Sequence, residues 1–208
     1  RSFILLYNKI NDKAMNNMTE IIIGAGASGL ACAIRLKQNM PNDEVILLER
    51  LDTLGKKILA TGNGRCNLSN EHAKHYKEVI NFFNNIGLKT KSDSEGRIYP
   101  YSNQAATVRD MLEKECIRLG VQIVTGCTVK SVDRDLIVST DCGMFYADSV
   151  IIAAGGMAQS SLGSNGSGYE ILKNLGHRIT PLSPALVQLV SSSKYPRQLK
   201  GQRVKGNM

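Results

Sequence analysis

The chain has 208 residues, 42% of them hydrophobic and 21% charged, with a formal net charge of +8. This is the ordinary composition of a globular protein with room for one large domain. No apolar run approaches the roughly 20 residues of a membrane-spanning helix, and Phe3 to Tyr7 is shorter than the about 7–15 residues of a secretory h-region. The expectation is a cytoplasmic protein without a membrane partner.

The charge is uneven. Residues 181–208 hold Lys194, Arg197, Lys200, Arg203 and Lys205 and no acid, whereas the first 180 residues hold 21 basic and 18 acidic groups. A nucleic-acid surface would interleave aromatics with such a run, and Tyr195 is the only one there. No nucleic-acid partner is expected. The five cysteines, Cys32, Cys66, Cys116, Cys127 and Cys142, are odd in number and form no C-x-x-C. They suggest reduced thiols and no structural metal.

In chain order, residues 1–17 are expected to be an upstream or disordered segment. A strand over 19–23 runs through Ile21-Ile22-Ile23 into Gly24-Ala25-Gly26-Ala27-Ser28-Gly29. In this G-x-G-x-x-G the first glycine permits a tight turn and the second lets backbone approach a pyrophosphate. The third lets the following helix pack on the strand. The helix N-terminus, with Ala27 and Ser28 in its first turn, offers N–H groups and positive dipole to the phosphates. The helix spans 27–39, with Leu30, Ala33, Ile34 and Met40 on one face and Pro41 closing it. A second strand over 44–48 ends at Glu49, 20 residues beyond Gly29, where a ribose-binding carboxylate is expected.

A long loop from Arg50 to about Asn70 follows. It contains Gly55-Lys56-Lys57 and Thr61-Gly62-Asn63-Gly64-Arg65-Cys66-Asn67, a run too glycine-rich and polar for a packed element. Gly62 and Gly64 permit close backbone approach. Thr61, Asn63 and Asn67 supply neutral hydrogen bonds suited to a flavin edge, and Arg65 or Lys57 can offset phosphate or reduced-flavin charge. Cys66 lacks a second cysteine at redox spacing. A helix over 73–85, an extended stretch over 88–99 with a turn at Asp93–Gly96, and a helix over 103–119 capped by Ser102 come next.

Short strands over 121–125, 128–132, 136–140 and 144–147 form a β-meander pattern. A buried strand over 149–153 leads into Ala154, Gly155 and Gly156, a second small-residue turn. Gly163-Ser164-Asn165-Gly166-Ser167-Gly168 then opens a last helix over 168–175. A plain NAD-binding domain would continue as βαβαβ, whereas a meander followed by an apolar strand and a glycine turn is the layout of FAD domains of the glutathione-reductase type. His72, His75 and His177 show no metal-ligand grouping. Tyr99, Arg65 and His177 are candidates for acid–base work, but no catalytic residue is assigned.

The runs Gly24 to Leu30, Leu48-Glu49-Arg50, Gly55-Lys56-Lys57, Thr61 to Asn67, Glu95 to Pro100, Ala153 to Gly156, Leu175-Gly176-His177 and Pro184-Ala185-Leu186 carry a family resemblance. Together they resemble the FAD-binding flavoproteins of the aminoacetone-oxidase type (BaiN/YhiN-like), over about Thr19 to Val190. The resemblance implies an α/β fold, a Rossmann-like FAD domain with a meander, interrupted by an inserted, mainly β domain. On that basis 18–182 is an incomplete FAD-binding domain and 183–208 the start of the insertion. The chain is then an N-terminal fragment that lacks the returning segment. Glu49 is implied to hold the adenosine ribose, the backbone of Val129 to face adenine, and the 61–67 loop to reach the ribityl and flavin. The family's glycine turn often reads G-S-T-G-D-G-Y, and here Asn165 and Ser167 replace its Thr and Asp.

The implied activity is that of an FAD-dependent oxidoreductase on a small molecule, with NADH or NADPH as a candidate reductant. Members act as oxidases of amino-ketones or as reductases of conjugated enones. An NAD-linked dehydrogenase and a non-catalytic flavin-binding or RNA-associated protein are the alternatives.

Overall fold

The computed structural model describes residues 4–7, 17–184 and 192–193. The elements in order are β1 (Ile4–Tyr7), β2 (Thr19–Ile23), α1 (Ala27–Asn39), β3 (Glu44–Leu48), α2 (Lys56–Ala60), a 3-10 turn (Thr61–Gly64) and β4 (Ser69–Asn70). They continue with α3 (Tyr76–Asn85), β5 (Thr90–Ser92), β6 (Arg97–Pro100), α4 (Ala105–Arg118), β7 (Gln122–Val124), β8 (Val129–Val132), β9 (Ile137–Thr140) and β10 (Met144–Tyr146). The last are β11 (Ser149–Ile152), a second 3-10 turn (Ser160–Leu162) and α5 (Ser167–Asn174).

The main sheet has the order β1-β11-β2-β3-β7. β11, β2, β3 and β7 run parallel, and β1 pairs antiparallel with β11. Parallel strands covered on both faces read as unbroken apolar runs, with successive side chains sent to opposite layers. Ile22, Val45, Leu47 and Ile151 join the layer of α1 and α4, with Leu30, Ile34, Val108 and Leu112. Ile21, Ile23, Ile46, Leu48, Val150 and Ile152 join the opposite layer with Val132, Val138, Ile171 and Leu172. Burying each large aliphatic side chain contributes about 1.5–3 kcal/mol, so the two layers fix the sheet's register.

Several expectations change. Part of the segment expected to lie upstream of the fold, Ile4–Tyr7, forms an edge strand on β11. The stretch read as the first meander strand is β7, a third parallel strand beside β3. The chain therefore does continue as βαβαβ, and only β8-β9-β10 is an antiparallel meander, inserted before β11. The 50–70 loop contains α2, a 3-10 turn and β4, and β4-β6-β5 forms a separate small sheet. Met40 is 37% exposed at the end of α1 rather than on its buried face. Ser102 is not the cap of α4. That position is Gln104, and Ser102 accepts the Gln104 N–H from within the preceding turn. The expected insertion start lies almost wholly outside the described residues.

At the base of the sheet the buried Ser149 hydroxyl donates to the buried Glu20 carboxylate. Burial, then the charges of Asp43 and Asp148, push the Glu20 carboxyl above its ordinary 4.5. The folded state therefore keeps a proton that the unfolded chain has already released above that pH. The stability contributed by neutral Glu20 is complete below the unfolded value and falls as pH rises through the raised one. Glu20→Gln should accordingly raise the thermal midpoint at about pH 7, with the gap closing toward about pH 4. Melting curves in which the gap is constant over that range would show that Glu20 is not the titrating group.

Candidate dinucleotide site

The sheet grows from β2 through β3 to β7 on one side and to β11 on the other. The strand order thus reverses between β2 and β11, and ligands of open α/β sheets bind outside the carboxyl ends of the strands at such a point. A cavity of about 760 Å³ opens there.

Its floor is the glycine run. Gly24 has φ +103°, and a Cβ on it would lie 2.7 Å from the Ala153 carbonyl oxygen. A Cβ on Gly29 would lie 1.9 Å from the Gly24 carbonyl oxygen, so α1 rests directly on the turn. At Gly26 nothing stands within 4 Å of the Cβ position, and the residue faces the cavity. The first amides of α1 have no intrahelical acceptor and lie at the positive end of the helix. No acidic residue stands in that first turn. Glu49, at the end of β3, accepts the Ala25 N–H at 2.8 Å and the Leu51 N–H at 2.9 Å. Its carboxylate is thereby fixed at the cavity rim.

The opposite wall is the second glycine turn. Gly155 has φ +76°. The Gly166 N–H donates to the Gly156 carbonyl at 3.1 Å, so the turn after β11 and the turn before α5 form one unit. Lys57 donates to the Ser164 hydroxyl and to the Ala158 carbonyl, and Arg50 donates to the Gly163 carbonyl at 3.0 Å. These two cations tie the wall to the loop after β3 rather than standing free for phosphate.

The 61–67 loop explains its own composition. Gly62, Asn63 and Gly64 are consecutive left-handed residues at φ +56°, +55° and +80°, and Cys66 follows at +59°. Glycine enters that region without cost and asparagine tolerates it. A side chain at Gly62 would also meet the Asn67 amide nitrogen at 2.8 Å. Thr61 donates its hydroxyl to the Ile58 carbonyl at 2.7 Å. The Arg65 guanidinium stacks over the Tyr99 ring at 4.5 Å from its centroid.

Of the residues singled out in the sequence, Gly24, Gly26, Ala27, Ser28, Glu49, Arg50, Lys57, Thr61, Cys66, Asn67, Val129, Ala154, Gly155 and Gly156 line this cavity. Gly29 acts one layer behind, by packing. Gly62, Asn63, Gly64 and Arg65 shape the loop but do not line the cavity. Burial raises the Cys66 thiol above its ordinary range, which disfavours a reactive thiolate. Tyr99 is buried beneath Arg65, and His177 is exposed past α5. Neither reaches the cavity. His75 pairs with Glu78 on the surface.

The glycine–serine run 163–169, read in the sequence as offering N–H groups to an anion or a flavin, supplies Ser164 and Tyr169 to the lining, whereas Cys127 and Thr128 were missed because nothing local marked them. Sequence reasoning also missed the disulfide between Cys127 and Cys142, which removes the cysteine count as an argument for a reducing compartment. The hairpin of β8 and β9 brings the two together across 15 residues, a spacing that matches no motif.

The match to known proteins follows this geometry. The model of the HI0933-like protein Rossmann domain matches residues 18–78 and 72–194. The chain belongs to that family. It is 44% identical over 190 residues to the 3-dehydro-bile acid delta(4,6)-reductase of Clostridium scindens, covering 81% of this chain and 46% of that protein. It is 27% identical over 195 residues to the ribosomal RNA dihydrouridine synthase of Escherichia coli, covering 83% and 48%. The chain thus spans about half the length of these relatives. Among solved structures, Thermovibrio ammonificans THI4 gives a TM-score of 0.46 at 18% identity, covering 56% of this chain and 40% of that one. The 2-methyl-3-hydroxypyridine-5-carboxylic acid oxygenase gives 0.46 at 21%, covering 73% and 41%.

The fold is the FAD-binding form of the Rossmann domain, and the cofactor is FAD. The residues present fit it, because the open face of Gly26 leaves room for a pyrophosphate against the α1 amides. Among the described residues no helix is long and apolar enough to cross a membrane.

Gly26→Val should therefore fold yet lose FAD, because its side chain enters free space inside the cavity. Gly29→Ala should fail to fold, because its added carbon meets backbone. Soluble protein yield and flavin content separate the two, and a folded, flavin-replete Gly26→Val protein would contradict the assignment. Glu49→Ala should weaken FAD binding about tenfold or more. It should also cost roughly 1–3 kcal/mol of stability by orphaning the Ala25 and Leu51 amides. Flavin titration and chemical denaturation check the two effects, and unchanged FAD affinity would remove the ribose role.

Proposed function

We propose that this chain is the FAD-binding part of an oxidoreductase that reduces a carbon–carbon double bond conjugated to a carbonyl in a small organic molecule. NADH or NADPH is the proposed reductant. The observation that carries the cofactor part is one cavity walled by both glycine turns and rimmed by Glu49. The substrate class is supported by the relatives. Both enzyme names describe saturation of a ring double bond conjugated to a carbonyl, in a 3-dehydro bile acid with Δ4,6 unsaturation and in uracil. A small-molecule substrate is preferred because the bile acid enzyme stands at 44% identity and the RNA enzyme at 27%.

FAD, when bound, supplies hydride chemistry. The chain's own residues bind and orient it. The α1 amides and the Gly26 backbone receive the pyrophosphate, Glu49 takes the ribose hydroxyls, and Cys127 to Val129 border the adenine end. The 61–67 loop and the Ala154–Gly156 turn stand where the ribityl and ring system would lie. The neutral groups Thr61 and Asn67 there can bond the flavin edge without fixing a charge beside it.

The full-length protein should be yellow, release FAD on denaturation and be bleached by NADH or NADPH without oxygen. A steroid 4,6-dien-3-one should restore the colour and yield a product two mass units heavier. Colourless protein would reject the cofactor assignment. A reduced flavin that ignores the dienone but is reoxidised with uridine-containing RNA would move the substrate class to RNA.

A further inference from the structure

Cys127 and Cys142 sit at the adenine end of the cavity, with the first in its wall and the second on the surface. Cys127 is 1% exposed and packs among Val132, Leu136 and Val138. Its N–H donates to the Glu49 carbonyl at 2.9 Å, and the preceding Gly126 N–H donates to the Leu51 carbonyl. The backbone that borders adenine is thus bonded to the segment that carries the ribose carboxylate. Cys142 is exposed in the turn between β9 and β10. That turn has its own tie to the same strand. The Asp141 carboxylate accepts the Thr128 N–H at 2.7 Å, and the Asp141 N–H donates to the Thr128 carbonyl at 3.1 Å. The Cα atoms of the two cysteines are 5.9 Å apart, within the range a disulfide spans.

We propose that Cys127 and Cys142 are a reversible thiol–disulfide site through which a small-molecule disulfide sets the affinity for FAD. The exposed Cys142 thiolate attacks one sulfur of the small disulfide and expels one thiolate, leaving a mixed disulfide. The Cys127 thiolate then attacks the Cys142 sulfur and expels the second. The two cysteines lose two electrons, the small disulfide gains them, and the two thiol protons end on its two thiols. Burial of one partner and exposure of the other impose this order. Closure ties the adenine-facing backbone to the outer turn, so less freedom is lost when FAD binds. Reduction removes that tie and leaves the Asp141 bonds and the β8–β9 ladder.

The inference rests on the cavity being the FAD site, and the test separates the two. Full-length protein is treated with oxidised glutathione or with dithiothreitol, the linkage is mapped by peptide mass spectrometry, and FAD affinity is read from flavin fluorescence. Oxidised protein should carry the 127–142 link and bind FAD about threefold tighter or more. Cys142→Ser and Cys142→Ala, changes on an exposed turn, should hold the weaker value under both treatments. No link after oxidation, equal affinity in the two states, or a redox response that survives in both variants would overturn the proposal. Absence of FAD binding in either state would remove the cofactor assignment and this proposal with it.

Discussion

The rest of the site depends on one steric fact, the seating of Gly29 on the Gly24 carbonyl, with 1.9 Å to where a Cβ would stand. No side chain fits there, so any larger residue would push α1 off the turn that follows β2. That seating aims the α1 N-terminus into the crevice between β2 and β11. It also presses Gly24 against Ala153, which leads β11 into the second glycine turn. Two turns separated by some 130 residues of sequence become one surface because neither carries bulk at the contact. The inserted small sheet, the meander and the 61–67 loop are arranged around that surface and do not create it.

Much of this was legible in the residues. Parallel strands buried on both faces leave unbroken aliphatic runs, and Ile21–Ile23, running into the glycine turn, and Val45–Leu48, ending at Glu49, were read correctly from such runs. The α4 pattern of Val108, Leu112 and Cys116 is equally direct, since helical period and burial agree. Partnership between strands was less legible. Val121 to Thr125 looked like the first strand of a meander because length and composition do not state which strand a short strand pairs with. Its place beside β3 is set by α4, which must cross over the sheet and return the chain parallel.

The site was legible as composition and obscure as conformation. The run Thr61 to Asn67 announced close approach through its glycines, but its path depends on three left-handed residues in succession, a geometry that propensities average away. The separate roles of Gly62 and Arg65, which shape the loop from behind the cavity wall, follow from that path. Ile4–Tyr7 was obscured for a different reason. It pairs with a single neighbouring strand, β11, far away in sequence, and nothing local states that partnership.

The placement of the cations bears on how an anionic cofactor is held. Lys57 looked like a phosphate partner and Arg50 stood beside the expected ribose carboxylate, yet both donate across the cavity to carbonyl and hydroxyl oxygens of the 158–164 segment. Used in this way they join the loop after β3 to the turn after β11. Their positive charge still lies at the cavity edge, while their donors are engaged in holding the walls at a fixed spacing. In the proposed site, direct contact with the diphosphate would then fall to backbone amides at the α1 N-terminus and to the space left open at Gly26. Amides fixed by a helix need no reorganisation when the ligand arrives and no side-chain entropy is lost in aiming them. On the proposed reading, recognition is chiefly a matter of where the backbone is allowed to go, and the glycines at 24, 26, 29, 155 and 156 set that path.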